Sequence, residues 1–150
     1  MSEQSLMERI DTDLRQAMRE KDEVAKLALR AVKTAITEES KSGDAHTVDE
    51  GQILAILQRE AKRRREAAAE YERLGAQELA AKERAELAVL EKYLPRQLSD
   101  EEIEALARQV IQEVGATSAR DMGRVMSTLM ERVRGQADGK RVSQVVRRLL

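Results

Sequence analysis

Apolar residues recur every three or four positions from one end of this 150-residue chain to the other. That spacing gathers them on one face of a helix, whereas a half-buried strand would need alternate positions. Leu6, Ile10, Leu14 and Met18 predict a first helix. Lys21 and Asp22 mark a break, with Asp22 able to cap a second helix. Val24, Leu27, Ala28, Ala31, Val32, Ala35 and Ile36 form the stripe of that second helix, which stops near Gly43. No segment alternates as a strand would, so the predicted fold class is all-α.

The helical spacing persists beyond Gly43. Ser42-Gly43-Asp44-Ala45-His46 reads as a loop, and Thr47 with Glu50 has capping-box spacing for a third helix. Its face runs through Ile53, Leu54, Leu57, Ala61, Ala68, Tyr71 and Leu74, with Gly75 as its C-cap. A fourth helix directs Leu79, Leu87, Leu90 and Leu94 inward and ends at the single proline, Pro95, which disfavours helical geometry in the residue before it. The domain boundary is placed here, dividing the chain into 1–95 and 96–150.

After the boundary, Ser99 and Glu102 make another capping box. Ile103, Leu106, Ala107, Val110, Ile111 and Val114 trace a full stripe that Gly115 ends. Thr117 or Ser118 caps a helix with Met122, Val125, Met126, Leu129, Met130 and Val133, closed by Gly135. Asp138 caps a last short helix with Val142, Val145, Val146 and Leu149. Helices this short are marginal alone in water, so these three must pack on one another. The expectation is a helical bundle or hairpin of about four helices preceding a small three-helix module.

Composition narrows the chemistry. There are two tyrosines and no Phe or Trp, so the core must be built from aliphatic residues, Met and Ala. The absence of cysteine excludes disulfides, thiolate nucleophiles and Cys-bound metal. No apolar run approaches ~18 residues, so no membrane span is expected and the cytoplasm is the default address. His46 sits in a polar loop with only Asp44 and Asp49 near it in sequence, poor company for a metal ion. Gly135-Gln136-Ala137-Asp138-Gly139-Lys140 imitates a phosphate-binding loop. Its glycines are one residue too close, Arg141 stands where Ser or Thr is needed, and no strand precedes it, so it reads as a turn between helices. Carboxylates such as Glu60 have cations one turn on, here Arg64, and read as ordinary surface pairs. No catalytic constellation, metal site or cofactor site is expected.

Two basic clusters remain. Arg59, Lys62, Arg63, Arg64 and Arg65 crowd the third helix and read as a solvated, salt-bridged helix face or, alternatively, an anion or RNA contact. The second cluster is spread through residues 115–150, where eight cations face three anions, a net +5 inside a chain of net −1. Lys140 and Arg141 stand in the first turn of the last helix, where the helix dipole disfavours cations. That placement suggests a use beyond helix stability. Arg120, Arg124, Lys140, Arg141, Arg147 and Arg148 are the candidate phosphate contacts, acting through counterion release. With so few aromatics, recognition by shape and backbone is expected rather than base reading. The methionines 122, 126 and 130 read as core, with a docking groove as the alternative.

Tyr93-Leu94-Pro95-Arg96-Gln97-Leu98-Ser99 resembles the hinge of the YqeY family. Asp121-Met122-Gly123-Arg124-Val125-Met126, Gly135-Gln136-Ala137-Asp138-Gly139 with Val142, Leu29 to Ile36, and the Arg63-Arg64…Tyr71…Gly75 spacing are similar to it too. The resemblance implies a terminal module like the tail domain of the B subunit of glutamine-dependent tRNA amidotransferase, which helps hold tRNA while the chemistry lies elsewhere. It therefore implies a non-catalytic accessory with tRNA as partner. The alternatives are an adaptor docking on a translation or amidotransferase protein, or a component of a carbon–nitrogen ligase with glutamine as amido-N-donor.

Overall fold

The computed structural model describes residues 4–43 and 47–150, and among them every regular element is a helix. They divide into two compact units, one ending at Leu94 and one running from Pro95 to Leu150.

The first unit holds α1 (Leu6–Glu20), α2 (Glu23–Lys41), α3 (Glu50–Arg73) and α4 (Gln77–Glu91). Ser5 caps α1 by accepting from the Glu8 N–H. The α1–α2 corner forms as the sequence predicts: Lys21 takes a left-handed conformation (φ 59°) and Asp22 caps α2. The core is mainly aliphatic, with Ile10, Leu29, Val32, Leu57 and Leu90 essentially inaccessible and Tyr93 packed among them. At one end of the bundle the Leu6 N–H donates to Glu50 Oε1 at 2.9 Å, joining the starts of α1 and α3. The Tyr93 hydroxyl donates to Asp13, and the Arg9 guanidinium lies 4.9 Å from the Tyr93 ring centroid. Burial first, then the hydrogen bond and negative charge of Asp13, push the Tyr93 phenol above its ordinary pKa.

Four details differ from the sequence reading. Helix α3 is capped by Asp49, not Thr47, because Asp49 and Gln52 complete a reciprocal capping box. Helix α4 ends at Glu91; Tyr93 and Leu94 close tighter turns onto the carbonyls of Leu90 and Glu91. Leu79 is 48% exposed because the buried line of α4 passes through Ala80, about 100° around the helix. Met18, Leu27 and Leu74 are exposed as well.

The second unit holds α5 (Asp100–Val114), a 3₁₀ turn at Ala119–Asp121, α6 (Met122–Arg132) and α7 (Gly139–Leu149). Ser99 and Glu102 form the predicted capping box, and Gly115 ends α5 at φ 69°, a conformation glycine adopts without strain. Ser118 caps the 3₁₀ turn, which runs directly into α6. Ile103, Val110, Val125, Leu129, Val133, Val142 and Val146 are fully buried in one core. Met122, Met126 and Met130 are partly buried against it, as core methionines. Gly135 (φ 79°) and the Asp138 cap make the imitation phosphate loop a helix–helix turn.

Candidate nucleic-acid interface

Helix α7 forms because one end is capped and one face is apolar. Asp138 Oδ1 accepts the Arg141 N–H at 3.0 Å, and Val142, Val145 and Val146 are buried. The opposite side presents Lys140, Gln144, Arg147 and Arg148 to solvent. Those positions have a spacing of four, three and one, so they lie along one broad stripe. Helix α7 contains no acidic residue. Neither Lys140, Arg147 nor Arg148 forms an ion pair among the described residues.

Arg141 does something else. Its guanidinium donates to the Leu98 carbonyl and to Asp100 Oδ1, both at 2.9 Å, and its side chain is half-buried. It clips the first turn of α7 to the start of α5. The clip belongs to a larger strap, because the Leu98 N–H donates to the Gln136 carbonyl at 2.9 Å. Gln97 Nε2 donates to the Gly135 carbonyl at 2.8 Å and Gln136 Nε2 to the Arg96 carbonyl at 3.2 Å. Thus two segments that read as a hinge and a turn are bonded face to face. The cation in the first turn of α7 has the further use its position suggested, but for Arg141 that use is internal.

The remaining cations of this unit divide the same way. Arg124 pairs with Asp121 at 2.8 Å, and Arg132 pairs with Glu113. The Asp121 carboxyl is held below its ordinary pKa, first by the Thr117 N–H and then by Arg124. Arg120 and Arg134 are exposed and form no ion pair among the described residues. The six candidate contacts are therefore not equivalent: Arg120, Lys140, Arg147 and Arg148 are available, Arg124 has one carboxylate partner, and Arg141 is committed.

The basic run on α3 is mostly engaged inside its own unit. Glu60 is only 5% exposed, so the Glu60–Arg64 pair is not a surface pair. Arg64 Nη1 donates to Glu60 Oε1 at 3.1 Å and to the Glu60 carbonyl at 3.0 Å. Its Nε lies 3.6 Å from Glu86 Oε1 on α4, too long for a hydrogen bond. Glu86 is also buried. Arg63 donates to Glu60 Oε2 from the exposed side, and Arg65 is half-buried and partnered. Only Arg59 and Lys62 lack an ion pair among the described residues of this run. One signal could have exposed this: Glu60 sits inside the stripe of Ile53, Ile56, Leu57 and Ala61. Glu86 carried a weaker signal of the same kind, one turn before Leu90 on α4, and its cation comes from another helix.

An open cleft of about 490 Å³ lies over this network, with Ala31, Ala35 and Ala67 among its small lining residues. No group of three or more metal-ligating side chains occurs among the described residues, and none of their helices is long and apolar enough to cross a membrane. His46 and Asp44 lie outside the described residues.

The sequence profile of the YqeY-like proteins matches residues 7–150. The chain belongs to that family. A relative from the fungus Pyrenophora tritici-repentis, named altered inheritance of mitochondria protein 41, mitochondrial, is 30% identical over 151 residues. That match covers 96% of this chain and 82% of the fungal protein. For this YqeY-like chain, packing explains part of the segments that carried the family resemblance. The 95–99 and 135–141 segments meet in the strap, and Arg63 and Arg64 meet at Glu60.

Proposed function

We propose that this protein is a non-catalytic accessory of translation that holds tRNA by its phosphate backbone through the 95–150 unit. The observation that carries this reading is the acid-free outer stripe of α7, with Lys140, Arg147 and Arg148 exposed and without an ion pair among the described residues. Arg120 and Arg134 add exposed charge to the same unit. Cations left without carboxylates can neutralise phosphates and release counterions, which makes affinity strongly salt-dependent. The sequence resemblance to an amidotransferase tail supports tRNA as the RNA, and the cytoplasmic address is part of the same proposal.

The test is a titration of deacylated tRNA with the full chain across a salt series. If all five unpaired cations meet phosphates, the logarithmic salt slope approaches about −4.5. Changing Lys140, Arg147 and Arg148 together to Ala should flatten it by roughly 2–3. Absence of binding at low salt, or a triple variant that binds like the parent, overturns the reading.

A second reading, docking on a protein partner, is favoured by one observation. Leu74 and Leu79, at the tip of the α3–α4 hairpin, are 62% and 48% exposed. A nuclease-resistant stoichiometric complex lost in Leu74→Ser/Leu79→Ser would support it.

A further inference from the structure

We infer that the α7 stripe takes a base-paired RNA stem rather than an unpaired strand. The inference rests on the backbone-binding reading above and names its ligand more closely. Two features of the 95–150 unit lead to it.

The first is rigidity. Lys140 and Arg148 are eight residues apart, about 12 Å along the helix axis. The backbone between them is held from several sides. Asp138 caps its start, Arg141 ties it to Leu98 and Asp100, and Val142, Val145 and Val146 anchor it in a fully apolar core. Such a row is a fixed ruler of charge. A stem presents phosphates already fixed in a regular array, so matching it costs little ordering of the RNA. An unpaired strand must give up its own conformational freedom to meet the same row.

The second is the chemistry around the row. Proteins that hold unpaired strands use aromatic rings on which successive bases stack. Both aromatic residues of the chain, Tyr71 and Tyr93, precede Pro95, so the unit has no ring to offer. What it offers is positive charge, and charge alone favours the ligand with the denser phosphates, which is the two-stranded one. Base edges inside a stem are then left unread, so the preference is for shape and not for sequence.

The experiment uses the full chain and fluorescently labelled RNAs, with binding measured by anisotropy at low and moderate salt. The probes are two stems of unrelated sequence and an unpaired oligouridylate and oligoadenylate of equal phosphate count. The stems should bind about tenfold tighter than the unpaired oligomers, and within about twofold of each other. The Lys140→Ala/Arg147→Ala/Arg148→Ala variant should lose the preference. Arg108→Ala, which removes a cation paired with Glu104 on α5, should keep it. Circular dichroism of each variant confirms that it is folded. Equal or tighter binding to the unpaired oligomers overturns the inference while leaving the backbone reading intact. Failure of every RNA to bind removes both.

Discussion

The two units use charge in opposite ways. In the first, the only buried charged residues among the described residues are Glu60 and Glu86, and Arg64 lies between them. In the second, the core is wholly apolar and cations stand on the outer stripe of α7. The denser basic run in the sequence, Arg59 to Arg65, is therefore the less available one. On α7, which carries no carboxylate, Lys140, Arg147 and Arg148 form no ion pair among the described residues, while Arg141 reaches Asp100 on α5. A buried ion network sets how helices meet, while an unpaired surface stripe leaves attraction for something outside the chain.

The largest effect should come from breaking the buried network. Arg64→Ala leaves Glu86 buried without a cation and Glu60 with only the exposed Arg63, a loss of about 3–5 kcal/mol in urea unfolding. The comparison sharpens with Arg64→Met/Glu60→Met/Glu86→Leu, which removes all three charges and should restore most of that stability. A stability close to the parent's in Arg64→Ala would mean that the network contributes little to holding α3 and α4 together.

The strap comes next. Arg141→Ala removes two hydrogen bonds, one to a carboxylate, and should destabilise the 95–150 unit by about 1–3 kcal/mol. Faster amide exchange should appear at Leu98 and at the first turn of α7. If Arg141→Ala instead lowers RNA affinity as much as Arg148→Ala at unchanged stability, its side chain belongs to the interface after all.

Substituting the outer stripe should barely touch the fold. Lys140→Ala, Arg147→Ala and Arg148→Ala should each stay within about 0.5 kcal/mol of the parent. A larger loss in any of them would show that the stripe is structural, as in the first unit.

The smallest effect is a pH dependence at the α5 capping box. The Arg96 guanidinium, and after it the Ser99 N–H, holds the Glu102 carboxyl down to about 2. A carboxylate with a depressed pKa stabilises the fold fully above its unfolded value of about 4.3. That contribution fades as pH falls and is gone below about 2. A carbon-detected NMR titration placing the Glu102 midpoint near the ordinary carboxylate value would refute the pairing, and Arg96→Gln should move the midpoint upward.

The stripes, the caps at Asp22, Ser99 and Asp138, and the glycine stop at Gly115 were legible in the linear chain because they are local. A cap is decided within about four residues, and a helical stripe by the 3.6-residue period. That locality is why an all-α fold of short amphipathic helices could be read directly. Neighbours in space turned Leu79 and Leu74 outward and Glu60 inward, whereas the α3 cap at Asp49 was a local choice between two nearby candidates.

The candidate interface was legible only as a surplus of charge. Which cations are free depends on carboxylates and carbonyls brought from far along the chain. Arg141 meets Asp100 from 41 residues away, and Arg132 meets Glu113 from 19. The sequence by itself therefore determined the helices, the caps at Asp22, Ser99 and Asp138 and the net +5 of residues 115–150. Only the tertiary structure decided that Arg141 and Arg132 satisfy distant partners and that the local Glu60–Arg64 pair is buried, while Lys140, Arg147 and Arg148 remain exposed. The physical reason is that helix formation is settled within a turn, whereas neutralising a charge requires a partner that packing must deliver.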